Sequence, residues 1–283
     1  MKVSILYDII RWEEKALYDA GKKLGIEVEM VDVKEKEFDL TKNASTEFGD
    51  IALQRSVSYY RNIHTTAYLE YKNIKVINSL NTAIITGNKM FTTLVLQKHN
   101  IPTPKTIVAF TSETAMKIFK GEFGGRAVLK PVSGSWGRMV ALLNDEAAAQ
   151  AVLEDRDYMY PMYQVYYMQE YVNRPPRDLR IFVIGDEVVT GIYRYQPEND
   201  WRTNTARGGK AVKCEITDEI RELALKASKA VGGGVFGVDM MESPNGLIVH
   251  EVNNTTEFKN TVPATGVDIP KLIIEYVIKE ARR

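Results

Sequence analysis

Phe236-Gly237-Val238-Asp239-Met240 and Ile248-Val249-His250-Glu251-Val252-Asn253 flank the turn-forming segment Glu242-Ser243-Pro244-Asn245-Gly246. Two apolar runs around such a segment predict a β-hairpin. A three-residue loop with a left-handed Gly246 pairs Ser243 with Leu247. Counting back along both strands then sets Asp239 opposite Glu251, with Asn253 on the same face. Opposed carboxylates repel unless a proton or cation lies between them. Oxygen donors of this kind suit Mg²⁺ or Mn²⁺ held beside nucleotide phosphates. A two-residue loop would instead shift the register by one and put the two acids on opposite faces. Their apolar neighbours argue against a solvated edge.

Upstream the chain is β-rich, with strands expected at Val165–Val172, Leu179–Ile184 and Glu187–Arg194, and a helix at Asp218–Val231. Gln169-Glu170-Tyr171-Val172 leads into Arg174-Pro175-Pro176-Arg177-Asp178-Leu179-Arg180. A strand, a stiff Pro-Pro turn and a second strand can set the backbone of 170–172 beside an adenine, or form a plain crossover. Arg180 alternates with apolar Ile181 and Val183 and so need not face water. Together with Arg194, Asn204 and Arg207 it makes a cluster able to hold an anionic substrate and an acyl phosphate. Surface arginines paired with acids are the plainer reading.

Further back, the strand Ala127–Pro131 runs into Ser133-Gly134-Ser135-Trp136-Gly137-Arg138, and Met139–Leu143 resumes as a strand. Such a loop can converge its N–H groups on a polyphosphate, with Lys130 adding a point charge. The loop alone is equally an ordinary hairpin. It is no Walker A motif, because G-K-[ST] and a following helix are both missing. A helix is expected over Lys89–His99, ended by Pro102 and Pro104, and another at Ala115–Phe119 capped by Ser112. From the start to about residue 85, strands (Val3–Tyr7, Ile26–Val33, Ile51–Arg55, Lys75–Asn78) alternate with helices (Trp12–Leu24, Thr65–Tyr71). That alternation predicts a parallel sheet wound with helices. No G-x-G-x-x-G follows the first strand, so a dinucleotide site has no support there.

The 283 residues carry 37 cationic and 37 anionic side chains and one cysteine. Zero net charge gives no electrostatic case for nucleic acid or a membrane surface. A single Cys214 excludes an intrachain disulfide and a cysteine zinc site; it reads as buried filler in a reducing, cytoplasmic setting. The first apolar run is too short for a signal peptide or a membrane span. His64 and His99 are expected on the surface. His250, alternating with Glu251, is expected to point away from the metal. The run from Tyr158 to Tyr167 is expected to pack or to form an interface patch.

Taken in order, these segments resemble the RimK-like branch of the ATP-grasp ligases, and within it the α-aminoadipate–LysW ligase group. The likeness runs through Tyr7-Asp8, Arg11, Glu13-Glu14, Gln54-Arg55-Ser56-Val57-Ser58 and Gly87-Asn88-Lys89. It continues in Leu129-Lys130-Pro131-Val132, Gly134-Ser135-Trp136-Gly137-Arg138, Gln169–Val172, Arg177–Arg180, Thr203–Gly209 and Asn253–Lys259. The resemblance implies an α/β (α+β) ATP-grasp fold, with a Rossmann-like pre-ATP-grasp domain over 1–87, a central part over 88–169 and a C-terminal part over 170–283. ATP would lie between the last two. By the same likeness Lys89, Lys130, Gly134, Ser135, Trp136, Gly137 and Arg138 bind ATP, as do Gln169, Glu170, Tyr171 and Val172. Asp239, Glu251 and Asn253 hold Mg²⁺. Arg180, Arg194 and Asn204 surround ATP and the acyl phosphate, while Arg207, Glu257, Phe258, Asn260 and Thr261 bind substrate. The implied partner is a small acidic LysW-like carrier protein whose terminal glutamate side chain is phosphorylated and then attacked by an amino acid. A homo-oligomer is implied too. Relatives that use glutamate carry Gly-Phe where Asn260-Thr261 stands, so this pair favours α-aminoadipate.

Overall fold

The computed structural model describes residues 1–41, 48–203 and 208–283. Strands β1 (Lys2–Tyr7), β2 (Glu27–Asp32), β3 (Ile51–Gln54) and β4 (Lys75–Ile77) form a parallel sheet in the order β2-β1-β3-β4. Val3, Ile5 and Leu6 are fully buried, as expected of a strand covered on both faces. Helices α1 (Trp12–Lys23), α2 (Tyr59–Tyr71) and α3 (Leu80–Thr86) connect it. Helix α2 begins well before the expected Thr65. Ser58 caps it, and its buried face is largely polar (Asn62, Thr65, Thr66): the Gln54 amide donates to Thr65 Oγ1 at 2.8 Å and Thr66 Oγ1 at 3.2 Å. Buried polar groups that satisfy one another leave no apolar periodicity to read.

The next unit carries α4 (Lys89–Lys98), β5 (Thr106–Ala109), α5 (Ser112–Gly121), β6 (Ala127–Lys130), β7 (Ala141–Leu143), α6 (Glu146–Asp157) and β8 (Tyr166–Glu170). Its strands form an antiparallel sheet ordered β5-β8-β6-β7. Thr111, not Ser112, caps α5, its hydroxyl accepting from the Thr114 N–H at 3.2 Å. Tyr166 and Tyr167 are buried, while Tyr158 and Tyr160 are exposed.

A five-stranded antiparallel sheet follows: β9 (Arg177–Ile184), β10 (Glu187–Tyr195), β11 (Lys210–Lys213), β12 (Val235–Ser243) and β13 (Gly246–Asn253), ordered β11-β10-β9-β12-β13. One face is apolar. Leu179, Ile181, Phe236, Val238 and Met240 pack with Ile220, Ala224 and Cys214, and with Leu96 of α4. Helix α7 (Asp218–Ala230) covers this face. Helix α8 (Thr261–Thr265) packs on β10 and β11, and α9 (Ile269–Ala281) then returns to the first sheet. Ile273 and Val277 of α9 share a core with Val3, Ile5 and Leu17, and with Phe182.

The hairpin of β12 and β13 departs from the expected geometry yet reaches the same pairing. Ser243 pairs with Gly246, so the loop has two residues, Pro244-Asn245. A β-bulge between Asp239 and Met240 then restores the register: Met240 pairs with Val249, Asp239 with Glu251, and Gly237 with Asn253. The extra residue is His250. Because a bulge breaks strand alternation, successive side chains can share one face. His250 therefore faces the same cleft as Glu251, contrary to the expectation that it points away.

Candidate functional site

The second face of the five-stranded sheet is polar, and its groups follow from strand register. Asp178 of β9 lies opposite Arg194 of β10, and Arg180 of β9 lies opposite Asp239 of β12. Both pairs are bidentate. Arg194 Nε and Nη2 donate to Asp178 at 2.7 Å each, and Arg180 Nε and Nη2 donate to Asp239 at 2.8 and 2.7 Å. Arg194 Nη2 also approaches Asp239 Oδ2 at 3.0 Å, and Asn253 Nδ2 donates to the same oxygen at 3.2 Å. Burial works to raise the Asp239 pKa, but Arg180 and Arg194 outweigh it and hold the carboxyl well below its usual range. Glu251 pairs with Lys89 Nζ at 3.1 Å.

This face forms one wall of a cleft of about 470 Å³. Lys130, the loop after it, residues 56–60, and Gly87 and Lys89 line much of the rest. Lys130, at the end of β6, donates to Gln169 Oε1 at 2.6 Å. Burial lowers its pKa to about 8, with Glu251 opposing the shift and Lys89 and Arg174 adding to it. The loop 131–140 closes the cleft. Gly134 at φ 146° and Gly137 at φ 63° permit its turns, and Trp136 is held left-handed at φ 60°. The loop is tied to what surrounds it. Lys89 Nζ donates to the Gly134 carbonyl at 3.0 Å, the Trp136 indole to Glu257 at 2.8 Å, and Arg202 to the Gly137 carbonyl at 3.0 Å. Eight cationic side chains and four carboxylates line the cleft, an excess of four positive charges in a chain of zero net charge. That imbalance fits a polyphosphate.

A second cavity, about 220 Å³, shares Arg11, Arg180, Arg194 and Glu257 with the cleft and adds Trp12, Glu13, Ile192, Lys259, Asn260 and Thr261. The N-terminal sheet holds it in shape. Glu13 Oε1 accepts the backbone N–H groups of Phe258 and Lys259 at 3.1 and 2.9 Å, and Arg55 donates to the Thr256 carbonyl at 3.1 Å. A side chain at Gly237 would put its Cβ 2.4 Å from Thr256 Oγ1, so glycine is what lets this segment lie on the sheet.

The structure thus brings Lys89, Lys130, Gly134, Ser135, Trp136, Gly137, Arg138, Arg180, Arg194, Asp239, Glu251, Asn253 and Glu257 around one cleft. Asn260 and Thr261 line the adjoining cavity. Phe258 is fully buried in the core and lines neither. Gln169 reaches the cleft only through Lys130. Glu170 accepts the Lys105 N–H at 2.7 Å, Tyr171 stacks under Arg126 at 3.9 Å, and neither they nor Val172 line the cleft. Asn204 and Arg207 lie outside the described residues. The sequence reading missed Arg11, Trp12, Glu13, Arg174, Asp178, Arg202 and His250. Asp178 could have been found, since it alternates with Arg180 on one strand.

Asp239, Glu251 and Asn253 offer hard oxygen donors on adjacent strands, a set that fits Mg²⁺. Among the described residues there is no cluster of three or more His, Cys, Asp or Glu side chains able to hold a metal. A cation here would therefore also need oxygens from a bound ligand. No helix among them is long and apolar enough to cross a membrane.

Comparison with known proteins adds to this geometry. A model of the RimK-like ATP-grasp domain matches residues 86–277, and one of the LysX preATP-grasp domain matches residues 3–85. The chain is 45% identical over 269 residues to the α-aminoadipate–LysW ligase LysX of Saccharolobus solfataricus, covering 94% of this chain and 96% of that protein. It is 33% identical over 279 residues to the glutamate–LysW ligase ArgX of Sulfolobus acidocaldarius, covering 98% of each. Among solved structures, a RimK-domain ATP-grasp protein from Sphaerobacter thermophilus superposes with a TM-score of 0.79 at 23% identity, over 98% of this chain and 100% of that one, a likeness of fold.

Proposed function

The chain belongs to the RimK-like ATP-grasp ligases, carrying a LysX preATP-grasp domain in front, and from that premise we propose that it joins α-aminoadipate to a LysW-like carrier protein. The bond would be an amide between the amino acid's α-amino group and the side-chain carboxylate of the carrier's terminal glutamate. Lysine biosynthesis is the setting, and a cytoplasmic homo-oligomer is the proposed form.

A carboxylate is a poor acyl donor, and phosphorylation by ATP supplies the leaving group. In this reading Lys89, Lys130 and the loop 131–140 bind the phosphates. Arg180 and Arg194 line both cavities, so they can neutralise the charge of the transferring phosphoryl group and then the acyl phosphate attacked by the amine. Asp239, Glu251 and Asn253 would hold Mg²⁺ or Mn²⁺, which when bound adds charge neutralisation at the same oxygens. Arg180 and Lys89, which pair with these carboxylates, would turn to the nucleotide. No protein nucleophile is required.

The observation that carries the substrate choice is Asn260 and Thr261 on the wall of the smaller cavity, beside Arg180 and Arg194. Small polar side chains leave room for the longer chain of α-aminoadipate. One methylene is worth about 1–3 kcal/mol, so glutamate is expected to be used more weakly rather than excluded. The 33% identity to a glutamate–LysW ligase supports glutamate as the second reading. The test mixes the protein with ATP, Mg²⁺, a LysW-like carrier and either amino acid, and follows phosphate release and carrier mass. Preferential mass gain with α-aminoadipate is expected. A larger gain with glutamate would favour the second reading, and no gain with either would end the carrier-ligase reading.

Lys130 sets a pH dependence. As its pKa is about 8, it loses its charge as pH rises through that value, and kcat/KM for ATP should fall there with it. Lys130→Arg should remove the fall. Stability runs the other way. Between about pH 8 and the unfolded lysine value near 10.5 the unfolded chain binds more protons, so this group's contribution to stability rises with pH.

A further inference from the structure

His250 is the extra residue of the β13 bulge; its side chain is 9% exposed, and neither ring nitrogen has a hydrogen-bond partner among the described residues. Asp178 Oδ2 lies 3.9 Å from Nε2, beyond hydrogen-bond distance, and already accepts from Arg194 and from the Thr203 hydroxyl at 2.5 Å. Each ring nitrogen of an imidazole needs a hydrogen-bond partner when buried. Leaving both unpartnered costs stability, and such a cost calls for an explanation.

Position along the sheet says what would meet them. Asn253 and Glu251 face the phosphate-binding end of the cleft beside Lys89. His250 comes next, and beyond it across the hairpin lies Met241, an apolar residue of the same cleft. A nucleotide with its phosphates at Glu251 and its base toward Met241 sets its sugar at His250. A ribose hydroxyl both donates and accepts, as the imidazole requires. On the premise that the cleft binds ATP, we infer that His250 reads the ribose hydroxyls and makes the enzyme discriminate ATP from its deoxy analogues.

The test compares binding of ATP, 2′-deoxy-ATP and 3′-deoxy-ATP, with Mg²⁺, to the unaltered protein, His250→Leu and His250→Asn. The unaltered protein should bind at least one deoxy analogue about tenfold more weakly than ATP, the scale of a lost hydrogen bond to a buried group. His250→Leu should bring the two within about twofold by weakening ATP. His250→Asn, which keeps a donor and an acceptor, should recover part of the difference. Thermal melts without nucleotide separate this from misfolding, since leucine replaces two unpartnered nitrogens and should melt no lower. Equal discrimination in the unaltered protein and His250→Leu would overturn the role of His250 while leaving the nucleotide reading intact. Failure of the unaltered protein to bind ATP at all would overturn both.

Discussion

Asp239→Asn is expected to cut turnover at least about a thousandfold, equivalent to roughly 4 kcal/mol of lost transition-state stabilisation. The size follows from what meets at this side chain. Asp239 accepts from Arg180, Arg194 and Asn253, lies opposite Glu251, and is 2% exposed. It positions two arginines proposed to neutralise the phosphoryl group and supplies one of two carboxylates proposed for the cation. Asparagine keeps the shape but removes the charge, so both functions fail together. Phosphate release at saturating ATP and raised Mg²⁺, measured well below the melting temperature, checks it. A rate within tenfold of the unaltered protein would dismiss the metal assignment.

Arg194→Met should have the largest effect on stability, about 3–5 kcal/mol, the usual cost of breaking a buried ion pair on one side. Arg194 is 3% exposed and bridges Asp178 and Asp239. Methionine fills much of the volume but leaves the buried Asp178 without its cation and Asp239 with Arg180 alone. The sign with pH can be stated. Asp239 has a folded pKa below its unfolded one, so its contribution to stability is present above the unfolded value and is lost as pH falls through the folded value. Without Arg194 the folded pKa rises, and acid unfolding should begin at a higher pH. Denaturant melts at neutral pH and acid titration by circular dichroism test both parts. Adding Asp178→Asn should recover some of the loss. A cost below about 1 kcal/mol would show that the pair carries no such weight.

How much of this was legible in the sequence is clearest at the hairpin. Apolar residues around Asp239 and Glu251 specified that the acids face one another. They did so only through net register, and a two-residue turn with a bulge gives the same register as a three-residue turn without one. The bulge, and with it the direction of His250, could not be read from alternation. The parallel first sheet was legible because short strands alternate with helices along the chain. Helix α9 went unread although its start is signalled by Asp268 as cap and Pro270 in the first turn, ahead of Ile273, Ile274 and Val277. The second cavity was legible only in part. Residues 11–13 and 257–261 line it together with Arg180, Ile192 and Arg194, and no local pattern links segments so far apart. The link is tertiary, through the Glu13 carboxylate on two backbone amides.

Helix α9 also bears on how the chain must assemble. The first sheet finishes one face only when Ile273 and Val277 lie against Val3, Ile5 and Leu17. On the ribosome, at about 5–20 residues per second, the N-terminal strands therefore emerge many seconds before their covering helix. Until then a greasy surface stands open to solvent. Cutting away α9 should yield an aggregating product rather than a trimmed enzyme, though none of its residues touches either cavity.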